Sequence, residues 1–196
     1  TLQNWLQAWV QVGEAYWLYG KIVHEVGRKP QRAVFLMDRA FQFSDFISAD
    51  MYFVRAEALS QSGEYDRAIA DLQVGLQIAP TSLDAKEQLA ELILYKKYQF
   101  AESVVLFDQI LAVDSTYQPA LLHQGVAFYK LKQYSQSNQQ LIKALSYEPK
   151  EGVAFLYMGL NEIEYYLDTA NACNQWRYAE ELGVRDAKYY LRKMCE

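Results

Sequence analysis

YFVRAEALSQSGEYDRAIADLQVGLQIAP (52–80) and LLHQGVAFYKLKQYSQSNQQLIKALSYEP (121–149) are both 29 residues long and align without a gap. Outward from them, the small residue Ala56 recurs at Ala90, Gly125 and Gly159, in steps of 34, 35 and 34. A second small-residue series, Ala68, Ser103, Ser137 and Ala172, steps by 35, 34 and 35. Bulky residues four positions later, Leu72, Phe107, Leu141 and Trp176, keep those steps, as do Gly75, Ile110, Ala144 and Ala179. Pro80, Ser115 and Pro149 close the units. Registers that stay in phase over the chain mark a repeated structural unit.

Within each unit, apolar residues recur three and four apart in two halves, with polar turn residues such as SGE (62–64) between, so each unit reads as two helices. A small residue on one helix lets its neighbour approach, and a large one fills the space beside it. One such unit cannot bury its own apolar face, whereas a stack of them does, which predicts an all-α solenoid.

The runs AIADLQVG (68–75), SVVLFDQI (103–110), SNQQLIKA (137–144) and ACNQWRYA (172–179) complete a pattern that resembles the tetratricopeptide repeat family. An earlier copy, AVFLMDRA (33–40), pairs with AYWLYG (15–20). The resemblance implies a right-handed superhelix of five units, 13–48, 49–82, 83–117, 118–151 and 152–184, with a lead-in helix at 1–12 and a capping helix at 185–196. Gly75 and Ile110 depart from the family's usual Ala, Ser115 from its Pro, and one-residue insertions fall near 97–100 and 165–169. In the lead-in, Trp5 and Trp9 are one turn apart and are expected to pack in the core.

A net charge of −5 leaves no broad basic surface for a phosphate backbone, which argues against nucleic acid. No apolar run approaches the roughly 20 residues that cross a bilayer. The chain begins at Thr1 rather than Met, as expected of a processed protein or a piece of a longer one.

Cys173 and Cys195 are the two cysteines, and 184, beside Gly183, is their midpoint. If antiparallel helices flank that turn, the cysteines face one another, either as a disulfide that staples the cap or as reduced, buried thiols. The ending also resembles the last repeat and cap of tetratricopeptide proteins in Bacteroidota, several of them exported or lipid-anchored, which implies a periplasmic or cell-surface location.

HEVGR (24–28) lacks the second histidine of a helical zinc motif, which leaves His24 as a polar surface residue. With no phosphate loop, nucleophile elbow or distinctive carboxylate pair in view, no enzyme, metal or cofactor is expected.

The family's first helices line a concave groove, and the resemblance places Trp17, Phe53, Glu57, Glu87, Glu91, Tyr95, Leu122, Val126, Tyr129 and Leu160 there. Such a groove is acidic in the first three units and apolar in the last two, with Phe53, Tyr95, Tyr129 and Leu160 as anchors and Glu57, Glu87 and Glu91 as charge selectors. The alternative is that the carboxylates are merely solvated and the apolar residues are covered by the chain's own packing. Glu57, Glu87 and Glu91 stand where the family's chaperone-tail clamp would need cations, so that mode is not expected. The expected role is a non-catalytic scaffold that binds a protein or peptide in the groove. The alternatives are a structural subunit of a larger, envelope-associated assembly, a homo-oligomer, or an accessory domain of a longer protein.

Overall fold

The structure is a computed structural model that describes the backbone of residues 2–27 and 29–195, with side chains from Gln11 onward apart from Arg28. Among the described residues, regular structure is entirely helical. The chain forms two compact units, 1–92 and 93–196.

The first unit holds α1 (Leu2–Val26), α2 (Pro30–Phe43), α3 (Ala49–Ser62), α4 (Tyr65–Ile78) and most of α5 (Leu83–Tyr95). Successive helices from α1 to α4 pack as antiparallel neighbours. The lead-in runs into the first helix of the first repeat without a break, α1 being continuous through positions 12 and 13. Gly13 is used for proximity instead of for a turn: a Cβ there would lie 2.8 Å from Ser44 Oγ and 2.9 Å from the Phe43 carbonyl oxygen. The side chains of Trp5 and Trp9 lie outside the described residues.

Pro30 starts α2, where its missing N–H costs nothing, and Ser48 caps α3 by accepting from the Met51 N–H. Between the helices runs a charge cluster that the sequence pattern does not announce. Arg55 on α3 donates to Asp71 on α4 through Nε (2.7 Å) and Nη2 (2.8 Å), and to Asp38 on α2 through Nη1 (3.1 Å). Its guanidinium carbon also lies 3.4 Å from the centre of the Phe41 ring.

The second unit runs from the end of α5 through α6 (Phe100–Val113), α7 (Gln118–Lys130), α8 (Tyr134–Tyr147), α9 (Gly152–Asn161), a π-helical turn (Glu162–Tyr166), α10 (Thr169–Glu181) and α11 (Arg185–Met194). From α6 to α11 each α-helix packs on the next, and α7 also meets α9, so first helices of neighbouring repeats touch. The small-and-large pairing is literal here. A Cβ at Gly125 would sit 2.8 Å from the Leu141 side chain, and one at Gly159 would overlap the Trp176 indole. That indole is buried and donates to the Leu156 carbonyl at 3.2 Å.

The insertions are absorbed in the turns. Ala56 to Ala68 and Gly125 to Ser137 span 12 residues, whereas Ala90 to Ser103 and Gly159 to Ala172 span 13. In the short cases the turn closes with an amide bonded five residues back, Glu64 to Leu59 and Gln133 to Phe128. In the long cases it reaches six back, Gln99 to Ile93 and Asp168 to Glu162. A left-handed residue precedes each closing amide: Gly63, Lys132, Tyr98 and Leu167. In the last repeat the widening also converts the end of the first helix into the π-helical turn.

Of the two alternatives for the cysteines, the structure has the bridge: Cys173 and Cys195 are bonded with their Cα atoms 5.9 Å apart. It joins α10 to the residue that ends α11, across the turn at Gly183 (φ +89°). On α11, Ala187 and Leu191 are buried and Tyr190 stacks on Trp176 at 5.0 Å, while Met194 and Tyr189 stay exposed.

Two outcomes follow for stability. Gly159→Ala gains about 1 kcal/mol of helix propensity but forces a methyl into a rigid, hydrogen-bonded indole, an overpacking cost of about 1–3 kcal/mol. Urea denaturation is expected to show net destabilisation, and a gain would disprove the pairing. Cys195→Ser should lose about 2–4 kcal/mol, with amide hydrogen exchange faster along 185–194 and unchanged along 49–78.

Candidate functional site

The expected groove residues divide by environment. In the first unit, Asp50, Phe53, Val54 and Glu57 of α3 face Asp84, Ala85 and Gln88 of α5 across a hollow of about 360 Å³, closed by Ala79, Thr81 and Ser82. Phe53 is half-buried because Gly75 on α4 makes room for it: a Cβ at that position would overlap the Phe53 ring. The departure from the family's Ala at position 75 is thereby explained. Asp50, Glu57 and Asp84 are all exposed, so the hollow has an aromatic floor and a carboxylate rim. Ser82 accepts from the Ala85 N–H at 3.3 Å, which fixes the start of α5 beside it.

Glu57 is not merely solvated. One of its carboxylate oxygens lies 3.3 Å from His24 Nε2, and Gln61 donates to the other at 3.3 Å. His24 corrects the sequence expectation of a polar surface residue: its side chain is 7% exposed, held between α1 and α3. Glu87 and Glu91 are half-buried on α5. Trp17 is half-buried in a separate hollow of this unit with Glu14, Ser44, Asp45, Phe46 and Met51.

In the second unit the apolar part of the expected groove is corrected. Val126 is 0% exposed, and Leu122 and Leu160 are buried as well, so none of the three presents a surface to a partner. Leu122 belongs to a cluster with Leu121, Leu141, Ala144 and Ala154, and Leu160 to one with Leu156, Ala172 and Trp176. Tyr95 is tied down, its hydroxyl 2.7 Å from His123 Nδ1.

Tyr129 does reach the surface, within a run of tyrosines. Its ring lies 5.2 Å from Tyr157 and 5.9 Å from Tyr134, and Tyr134 lies 5.7 Å from Tyr165. Lys130 Nζ stands 5.5 Å and 5.8 Å from the centres of Tyr129 and Tyr157. Burial, with smaller contributions from Glu164 and the neighbouring phenols, pushes the Tyr129 hydroxyl up to about 12. Burial likewise raises Tyr157. Both phenols therefore stay protonated and able to donate at neutral pH. The abundance of tyrosine was the available signal for this run, but helical spacing alone does not bring residues of α7, α8, α9 and the π-helical turn together.

A third hollow, of about 450 Å³, lies at the cap, lined by Arg177, Glu180, Lys188, Leu191, Arg192 and Cys195.

No protein-family model matches the chain. No curated protein matches it either. Among solved structures, MamA (41-end) from Desulfovibrio magneticus RS-1 is similar with a TM-score of 0.77 and 18% identity, over 87% of this chain and 94% of that one. YrrB, described as a TPR protein with an unusual peptide-binding site, is similar with a TM-score of 0.73 and 15% identity, over 91% of this chain and 90% of that one. Identities this low concern the fold alone, and that fold is the tetratricopeptide-type helical solenoid.

Proposed function

We propose that the chain is a non-catalytic protein-interaction scaffold that seats a basic side chain of a partner segment in the hollow between α3 and α5. The observation that carries this reading is the combination of Phe53 with Asp50, Glu57 and Asp84 around one cavity. An aromatic floor takes the aliphatic stem or the flat face of Lys or Arg, and the carboxylates take its charge. The peptide-binding site described for YrrB supports the reading by analogy of fold. The bridge between Cys173 and Cys195 supports an oxidising compartment, periplasmic or cell-surface, for the same scaffold. The Bacteroidota-like ending points the same way.

Self-assembly is a second reading, favoured by the hollow at the cap, where Arg177, Lys188 and Arg192 outnumber Glu180, in a chain that also carries two hollows rimmed by carboxylates. A copy offering carboxylates to that hollow would make a head-to-tail contact.

Two measurements test these readings. Capture of a partner from native extract, identified by mass spectrometry, should fall roughly tenfold or more in Asp50→Lys/Glu57→Lys, the change for about 1.4 kcal/mol, with helical circular dichroism retained; undiminished capture overturns the acidic-hollow scaffold. Light scattering should give a mass that rises with concentration and falls with salt if copies associate. A concentration-independent monomer mass ends the self-assembly reading.

A further inference from the structure

Beside the end of α2 lies a second aromatic hollow, of about 270 Å³, lined by Glu14, Trp17, Ser44, Asp45, Phe46 and Met51. Its walls come from α1, from the loop between α2 and α3, and from Met51 at the start of α3. That loop is held at both ends. Ser44 rests against α1 because Gly13 carries no side chain, and Ser48 caps α3. Two carboxylates and two aromatic rings are thereby set around one space on a short, anchored segment.

Phe46 is 78% exposed, a large apolar surface left in water in the free protein, and Trp17 is half-buried. Glu14 and Asp45 are exposed, no basic residue lines the hollow, and no ion pair among the described residues engages either carboxylate. The site has negative charge and aromatic faces without a cation to match them.

The same unit contains the completed version of this chemistry. The Arg55 guanidinium lies on the face of Phe41 while it bonds Asp71 and Asp38. An aromatic face with two carboxylates is what one arginine occupies there. A flat, weakly hydrated guanidinium stacks on rings and forks onto carboxylates, whereas an ammonium keeps its water and acts as a point charge. We infer that the Trp17–Phe46 hollow is a guanidinium site that takes an arginine side chain of a bound segment. Choosing a partner's side chain over a free small molecule rests on the scaffold reading; the guanidinium chemistry does not.

The test is a nitrogen-15 correlation titration with the blocked tripeptide Gly-Arg-Gly, and with its citrulline counterpart, which keeps the shape and loses the charge. The arginine peptide should shift the Trp17 indole and the amides of 44–46, with a dissociation constant on the order of 1 mM. Phe46→Ala should abolish the response, Glu14→Gln/Asp45→Asn should weaken it roughly tenfold, and Gly13→Ala should disturb it by moving the loop. Asp50→Lys/Glu57→Lys should leave it intact, which separates this site from the Phe53 hollow. Equal shifts with citrulline, or shifts spread over every surface carboxylate, overturn the inference. Loss of partner capture in Asp50→Lys/Glu57→Lys with no arginine response at Trp17 would sink this site and leave the scaffold standing. A response at Trp17 with unaffected capture would do the reverse.

Discussion

Interhelical distance in the second unit is governed by atoms that are missing. Gly125 and Gly159 have no Cβ at the places where Leu141 and the Trp176 indole arrive. A gap at either place would forfeit dispersion contacts and a methyl would overlap, so the pairing holds the helices within a narrow range of separations. The first unit meets the same constraint with Ala56 and Leu72, both buried in the corresponding registers. The candidate sites inherit this logic, because Gly75 seats Phe53 and Gly13 seats the loop that carries Phe46. A glycine thus stands behind the aromatic element of each acidic hollow.

Charge plays a different part. Largely shielded from water, Arg55 and Asp71 carry a desolvation cost that their paired hydrogen bonds and the Asp38 contact offset. The geometry ties three consecutive helices at one point. Removing Asp71 alone would leave the guanidinium with Asp38 as its one carboxylate partner and two of its N–H groups unmatched in a place with little water, a larger cost than the intact cluster's net contribution.

The repeat was legible because packing acts at fixed separations, so its small, large and small positions recur in the chain itself. The turns were legible as insertions, and the cysteines as residues equidistant from position 184, beside Gly183. The site was legible only in part. Phe53 and Glu57 line a hollow, but Leu122, Val126 and Leu160 do not reach the surface. A first helix such as α7 meets its own repeat on one side and α9 on the other, which leaves a strip of surface narrower than the apolar pattern suggests. The Arg55 cluster and the tyrosine run leave no pattern in the sequence because their members lie on different helices, 16 or more residues apart in several pairs, with no periodicity to connect them.

The turns that close five and six residues back alternate along the chain: short, long, short, long. That alternation has a period of two repeats, and the gapless alignment of 52–80 with 121–149 is offset by the same 69 residues. The turn geometry therefore repeats over a pair of units rather than over one, so a single unit is the period of the packing while two are the period of the turns.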